Sequence, residues 1–324
     1  MIVRWGLREL APLLLELCVE RALLITSERW AHLDLPAADR FTGVRAHVPA
    51  DSVAAARAAA AGHDALLAVG GGSAIDTAKA VSAETRLPVI AVPTTYSGAE
   101  WTGGYGVRDE HRGVKGGGRA DPPVAVVYHP ELTLTLPPAA TGGTALNALA
   151  HCAEALYVSG RNGEADDHAL RGARLISFGL PGVMRAPAAL SARTQLLEGA
   201  MNAGAALAGA GLGLAHAMAQ ALGGRFGTPH GSANALCLAP ALRFNLEVAR
   251  EEIGRFASAM GVPDAIDRVE ELKRAAGFSR LRDVGVPLAK LDEAAAAAAA
   301  RPGARANPRP ATAGQIAGLF RSAW

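Results

Sequence analysis

Ala65-Leu66-Leu67-Ala68-Val69-Gly70-Gly71-Gly72-Ser73-Ala74-Ile75-Asp76-Thr77-Ala78-Lys79 runs from an unbroken apolar segment through three glycines into a stretch with helical spacing. Ala65–Val69 shows no alternation of apolar and polar residues, so it reads as a strand buried on both faces, as in a parallel sheet. The glycines mark a tight turn, and a helix follows from about Ser73 to Thr85. The pattern repeats on both sides. Arg21–Thr26 and Leu87–Val92 read as further buried strands, Val124–Tyr128 as a fourth, and Asp51–Ala61 as an alanine-rich helix. This alternation predicts an α/β region with a parallel sheet covered by helices.

Past Pro137–Pro138 the character changes. Long helical runs follow, with no strand: Gly142–Ser159, Asp166–Leu180, Ala192–Gly223, Ser232–Phe244, Leu246–Met260, Ala265–Ala276 and Ala311–Ser322, with a shorter segment at Ala294–Ala300. The expected organisation is an α/β dinucleotide-binding domain over residues 1–137 and an all-helical catalytic domain over residues 138–324.

Composition narrows the function. The chain has 324 residues, enough for two domains, and at 50% apolar and 19% charged it can bury large cores, which excludes a disordered protein. The near balance of 32 basic and 30 acidic residues, with no basic block, argues against a nucleic-acid partner. Cys18, Cys152 and Cys237 are too scattered for a disulfide framework or a Cys-x-x-Cys metal site. With no signal peptide evident, a reducing cytoplasm is expected. No apolar run reaches the roughly 20 residues that cross a bilayer, so no membrane partner is expected.

Two loops point to a nucleotide. Gly70–Gly72 lets backbone approach a phosphate, and the helix opening at Ser73 would aim its first N–H groups at the anion. The loop matches neither the Gly-x-Gly-x-x-Gly fingerprint nor a Walker lysine loop. A second loop, Pro93-Thr94-Thr95-Tyr96-Ser97-Gly98-Ala99-Glu100, follows the next strand. Polar loops at the carboxyl ends of neighbouring parallel strands form the usual ligand crevice. Ser27, after the first strand, stands where an acidic residue would hold the ribose of NAD, and Arg29 is close enough in sequence to meet a 2′-phosphate. NADH and NADPH both stay open.

The helical half carries a histidine pattern. Asn147 and His151 are four residues apart on one helix face, and His216 and Gln220 repeat that spacing. His230 lies in the turn Thr228-Pro229-His230-Gly231. Three imidazoles from two helices and a loop can converge on one point, and a divalent metal would suit them. Each histidine alone is more often a satisfied core or surface residue than a ligand.

These segments together resemble the iron-containing alcohol dehydrogenase superfamily. The resemblance rests on Gly-Gly-Gly-Ser-x-x-Asp-x-Ala-Lys at 70–79, Pro-Thr-Thr-Tyr-Ser-Gly-x-Glu at 93–100 and Leu-Thr-Leu-Thr-Leu-Pro at 132–137. Asn-Ala-Leu-Ala-His-Cys-Ala-Glu-Ala-Leu-Tyr at 147–157, Gln-Ala-Leu-Gly-Gly at 220–224 and Pro-His-Gly at 229–231 extend it. Pro-Thr-Thr-Tyr, the Asn before the first His, Leu-Gly-Gly-Arg-Phe and Asn307-Pro308-Arg309-Pro310 make the match most similar to the maleylacetate reductase branch.

The resemblance implies a reductase acting on a small-molecule substrate with NADH or NADPH, as a homodimer. It places Ser27, Gly70, Gly71, Gly72, Ser73, Asp76, Thr94, Thr95, Ser97 and Leu134 at cofactor positions, and Lys115 near the nicotinamide. His151, His216 and His230, with Lys115 and Tyr96, are the implied catalytic set. Lys115 or Arg243 would meet a substrate carboxylate. Asn147, His151, His216 and His230 sit where metal-dependent members hold iron or zinc, but Asn147 replaces an aspartate, which makes a metal here doubtful. Gln220 replaces a histidine, and the Trp5-Gly6-Leu7-Arg8 segment lacks a second glycine. A metal-dependent alcohol dehydrogenase or aldehyde reductase, a cyclase or lyase on the same plan and a catalytically inactive nucleotide-binding relative are the competing readings.

Overall fold

The computed structural model describes residues 1–109 and 114–324. The chain divides into two compact units, Met1–Thr135 and Leu136–Trp324.

Among its described residues the first unit has eight strands: β1 (Ile2–Trp5), β2 (Ala22–Ile25), β3 (Asp39–Phe41), β4 (Ala65–Gly70), β5 (Val89–Pro93), β6 (Gly104–Asp109), β7 (Val114–Arg119) and β8 (Ala125–Tyr128). Three helices accompany them: α1 (Leu10–Glu16), α2 (Ala50–Ala59) and α3 (Gly72–Thr85). Six strands form one sheet in the order β1-β8-β5-β4-β2-β3, every neighbouring pair parallel. In register, Leu66 faces Leu23 on one side and Val89 on the other, and Gly70 pairs with Pro93.

All residues of β2, β4, β5 and β8 are buried, which explains their continuous apolar runs. Leu24, Leu67, Val69, Ile90, Val92 and Val127 form one face, packed with Leu10, Leu13 and Leu14 of α1 and with Trp30. The chain runs from β2 to β3 at one edge and then returns to the far side of β2 as β4. The strand order therefore reverses between β2 and β4, and their carboxyl ends deliver Thr26–Ser27 and Gly70–Gly72 to that point. Thr26 Oγ1 donates to the Val69 carbonyl at 2.7 Å and ties the two ends together.

Four strands lie outside the expected pattern for clear reasons: β1, Ile-Val-Arg-Trp, is a four-residue edge strand whose apolar run is broken by Arg4. β3 is a three-residue edge strand, Asp-Arg-Phe, with no apolar run to announce it. β6 and β7 pair as an antiparallel hairpin, but the Val-Lys-Gly-Gly-Gly-Arg sequence of β7 has no apolar alternation and a single β-former, Val114. The hairpin is held by α3: Asp76 Oδ2 accepts from the Gly106 N–H at 3.2 Å, and buried Lys79 donates to the carbonyls of Ala99 and Gly104.

The second unit contains α4 (Pro138–Ala155), α5 (Gly163–Arg185), α6 (Leu190–Ala210), α7 (Leu214–Phe226), α8 (His230–Asn245), α9 (Arg250–Ala259), α10 (Ala265–Ala275), α11 (Leu291–Ala299), α12 (Pro302–Ala306) and α13 (Ala313–Ala323). No strand is present among its described residues. The expected single helix Ala192–Gly223 is two, α6 and α7, bent by 100°. Gly211 turns the chain with a φ of +91°, which a helix cannot continue through. Among the described residues, no single helix is long and apolar enough to cross a membrane.

One buried triad in the first unit links stability to pH. Trp101 Nε1 donates to the Tyr128 oxygen at 2.8 Å, and the Tyr128 hydroxyl donates to Glu100 Oε1 at 2.9 Å. Burial pushes the Glu100 carboxyl up to about 6 from an ordinary 4.5. The folded state thus keeps its proton through a range where the unfolded chain has released it, and stability falls as pH rises from about 4.5 to 6. At about 1.4 kcal/mol per pH unit this component is about 2 kcal/mol. Glu100→Gln keeps an acceptor for Tyr128 and removes the titration. Urea unfolding of both proteins at pH 4.5 and 6 should show the wild type losing about 1 kcal/mol more than the variant across that interval, where each form is half titrated at one end; equal losses would refute the assignment.

Candidate active site

The nucleotide loops of the first unit have the form a diphosphate needs. Gly70 has a φ of +150°, outside the range of ordinary side-chain-bearing residues, and its carbonyl accepts from the Thr94 N–H at 3.0 Å. A Cβ placed on Gly71 would stand 2.8 Å from Cγ2 of Thr95, so the two loops close together only because Gly71 has no side chain. Gly71 caps α3 without any side-chain bond, which leaves the N-terminal N–H groups of Gly72 and Ser73 facing outward from the helix end. Thr95 Oγ1 is buried with no hydrogen-bond partner. An uncapped helix start, a glycine cradle and a waiting hydroxyl fit a dinucleotide phosphate.

The other expected cofactor residues divide. Ser97 and Ser27 are half-buried beside these strand ends, and Leu134 is half-buried just after the 3-10 turn Pro130–Thr133. Asp76 is committed to the fold: one oxygen pairs with Lys79 at 2.9 Å and the other accepts from Gly106. Arg29 is exposed and donates to the Thr135 carbonyl and hydroxyl, both at 2.6 Å. Tyr96 is fully buried, which favours a place in the wall over proton donation. Lys115 lies on β7 opposite Arg108, and its side chain is outside the described residues.

In the second unit the histidines meet. Asn147, His151 and Glu154 are spaced by four and three residues on α4, so they share one face, and all three are buried. His216 enters from the first turn of α7 and is 1% exposed. Its ring stacks on that of His151, with centroids 4.6 Å apart and planes 15° from parallel. His230, exposed at the start of α8, lies 6.0 Å from His216 by ring centroids. α8 gets this close because Gly231 packs directly on α4 backbone: a Cβ there would sit 2.6 Å from the carbonyl carbon of Gly143.

Glu154 organises the cluster, and sequence reasoning gave it no role. Its carboxylate is fully buried and accepts from the Gly213 N–H at 2.7 Å, the His216 N–H at 3.3 Å and His216 Nδ1 at 2.6 Å. It thus caps α7, whose N-terminal dipole favours an anion. With Nδ1 donating to Glu154, His216 presents Nε2, which is buried and has no partner. The available signal was the Asn147, His151, Glu154 spacing on a single face.

Asn234 was missed as well. It donates from Nδ2 to Asn147 Oδ1 at 2.8 Å and lies 3.1 Å from His230 Nε2, while its own Oδ1 is buried and unpartnered. His151 Nε2 stands 3.5 Å from the Asn147 amide nitrogen, and its Nδ1 has no partner. Burial first, and then the neighbouring His216 and His230, hold the His151 pKa well below the usual 6.5, so this ring is neutral. Burial pushes the thiols of Cys152 and Cys237 far up, which removes both as nucleophiles.

Arg243 does not join the cluster. It lies 13 residues beyond His230 on the same helix, about 20 Å away along the axis, and pairs with Glu270 at 3.0 Å. It lines a separate cavity of about 260 Å³ with Lys273 and Trp324.

The donor set does not fit a divalent cation. Among the described residues, no three acidic, histidine or cysteine side chains converge as ligands. The Asn147 oxygen is taken by Asn234, and two of the three imidazoles stack face to face instead of aiming at a common centre. Without an anionic ligand the site also lacks the charge that hard metals prefer.

Comparison with known proteins agrees with this architecture. The family model of the C-terminal part of iron-containing alcohol dehydrogenases matches residues 141–324, and that of iron-containing alcohol dehydrogenase matches residues 6–130. A maleylacetate reductase from Burkholderia cepacia is 38% identical over 275 residues, which span 83% of this chain and 77% of that protein. Maleylacetate reductase 1 from Rhodococcus opacus is 35% identical over 289 residues, 88% of this chain and 80% of that one. The crystal structure of maleylacetate reductase from Agrobacterium tumefaciens superposes with a TM-score of 0.91 at 31% identity, covering 100% of this chain and 95% of that one. The parallel sheet, the helical second unit and the matches along both show that this oxidoreductase belongs to the iron-containing alcohol dehydrogenase family.

Proposed function

We propose that the chain is an NAD(P)H-dependent reductase of maleylacetate, an enone flanked by two carboxylates, giving 3-oxoadipate. The observation that carries this reading is the buried, unpartnered Nε2 of His216, fixed by Glu154 on the opposite side of the ring. Gly70, Gly71, Gly72 and Ser73 with Thr94, Thr95 and Ser97 would hold the dinucleotide. NAD(P)H, when bound, supplies the hydride. Reduction of a conjugated C=C bond places negative charge on the ketone oxygen, as an enolate, and preorganised donors lower the cost of that charge.

His216 suits this task. As the imidazolium, it donates from Nε2 to the developing oxyanion, while the Glu154 carboxylate stabilises the ring's positive charge through Nδ1. His216 passes its Nε2 proton to the enolate oxygen, and the enol returns to the ketone as carbon takes a proton from solvent and oxygen releases one, which completes the two-electron reduction. Neutral His151 and the Asn147 and Asn234 amides add polarity without negative charge. That neutrality favours a dianionic substrate: a carboxylate in place of the Asn147 amide, 4 Å from a substrate carboxylate, would repel it by about 4 kcal/mol at an effective dielectric near 20. Glu154 does not repel in the same way, because three N–H donors surround it. A cytoplasmic location and a homodimer belong to this reading, the first supported by the three cysteines all being free.

Two experiments test it. NADH and NADPH absorbance followed with maleylacetate should fall at the same rate with and without a chelator. A requirement for stoichiometric metal would overturn the metal-free mechanism, and no cofactor oxidation with maleylacetate would overturn the substrate assignment. Glu154→Gln removes the carboxylate with little change in volume. It should lower kcat by about 10²-fold, in the range for a positioned proton-transfer group, and leave cofactor affinity unchanged. His216→Ala should abolish turnover. Unchanged kcat in either variant would take the pair out of the reaction.

A further inference from the structure

Among the described residues Arg301 bonds to no carboxylate, unlike six other arginines of the helical unit. Arg225, Arg243, Arg255, Arg268, Arg309 and Arg321 each pair with a carboxylate. Arg301 is half-buried, yet its guanidinium bonds only to neutral oxygens of one residue: Nη1 donates to Gln220 Oε1 at 3.2 Å and Nη2 to the Gln220 carbonyl at 3.1 Å. Its Nε is buried without a partner, and no acidic side chain pairs with it among the described residues. A partly desolvated cation held by neutral acceptors alone is costly, and burial already draws its pKa below the usual value. Such a group is completed by an anion from outside the chain.

Its position says which anion. Arg301 caps α12, and Gly303 in that helix packs so closely on the Gly213 carbonyl that a Cβ would stand 2.5 Å from it. Gly213 is the residue whose N–H bonds Glu154 at the start of α7. Gln220 lies four residues after His216, one turn along the same face of α7. The guanidinium lies along α7 between Gln220 and Gly224, one to two helical turns, about 6–12 Å along the axis, beyond His216. The near end of that range is the span between a reacting ketone and the far carboxylate of a short-chain dicarboxylate. The Gln220 side chain, which departs from the family's histidine, has a use here: its oxygen orients the guanidinium.

We propose that Arg301, oriented by Gln220, binds one carboxylate of a dicarboxylate substrate through the planar fork of its guanidinium. This rests on the function proposed above for the substrate's identity, but the anion site can be read without turnover. Arg301→Gln and Arg301→Lys should raise KM for maleylacetate by about 10- to 100-fold, as expected for a charged hydrogen bond worth 1.5–3 kcal/mol, while the KM for NADPH stays the same. Lysine should recover only part of the loss. Calorimetric titration of the full chain with adipate should show binding to wild type that is lost in Arg301→Gln. If wild type reduces maleylacetate and both variants keep its KM, the Arg301 site is wrong and the function stands. If wild type does not reduce maleylacetate, the function fails, and adipate alone decides the site. Adipate bound equally by wild type and variants overturns it, and loss on substitution supports it. Circular dichroism at matched temperature separates this from misfolding, and if Arg301→Gln is unfolded, the Arg301→Lys titration decides in its place by the same two outcomes.

Discussion

The second unit depends on one buried carboxylate. Glu154 is fully enclosed, and an enclosed carboxylate persists only where donors replace the water it lost. Three N–H groups do so, two from the backbone at the start of α7 and one from the His216 ring. That arrangement joins α4 to α7 and explains the sharp break after Gly211, because α7 must begin where its first N–H groups meet the acid. The same bonds fix the ring of His216. In the proposed function, a structural cap and a catalytic positioning device are one interaction.

The two units address different parts of the chemistry by different means. In the first, a parallel sheet brings two strand ends and a bare helix start together, and glycine at positions 70 and 71 keeps the backbone open to an anion. In the second, two amides and the neutral imidazole of His151 surround the hydrogen-bonded Glu154–His216 pair. On the proposed function, negative charge is kept out of contact with the substrate and directed at His216. This suits a reduction that must stabilise transient negative charge on a molecule already carrying two carboxylates.

Much of the fold was legible in the sequence. The continuous apolar runs at 65–69, 87–92 and 124–128 could only be buried strands, and the glycine run after the first of them marked the turn. The hairpin β6–β7 was not legible, since three adjacent glycines in β7 carry no strand signal and its place is set by Asp76 and Lys79 of a distant helix. The break between α6 and α7 was hidden by alanine on both sides of it. At the site, histidine spacing brought His151, His216 and His230 forward, and they do meet. Glu154 and Asn234 were passed over because an acid or amide within an alanine-rich helix shows no partner until the helices are packed. Arg243 and Arg301 show the reverse: two arginines equal in sequence, one neutralised by Glu270 and one left for a ligand.

The most direct test is the tautomer of His216. With the imidazoles labelled with nitrogen-15, the neutral form of His216 should carry its proton on Nδ1 and show a bare Nε2. Substitution Glu154→Gln should disturb that signal and leave His230 unchanged. A proton found on Nε2 in the wild-type protein would contradict the claim that Glu154 sets the reactive edge of this ring.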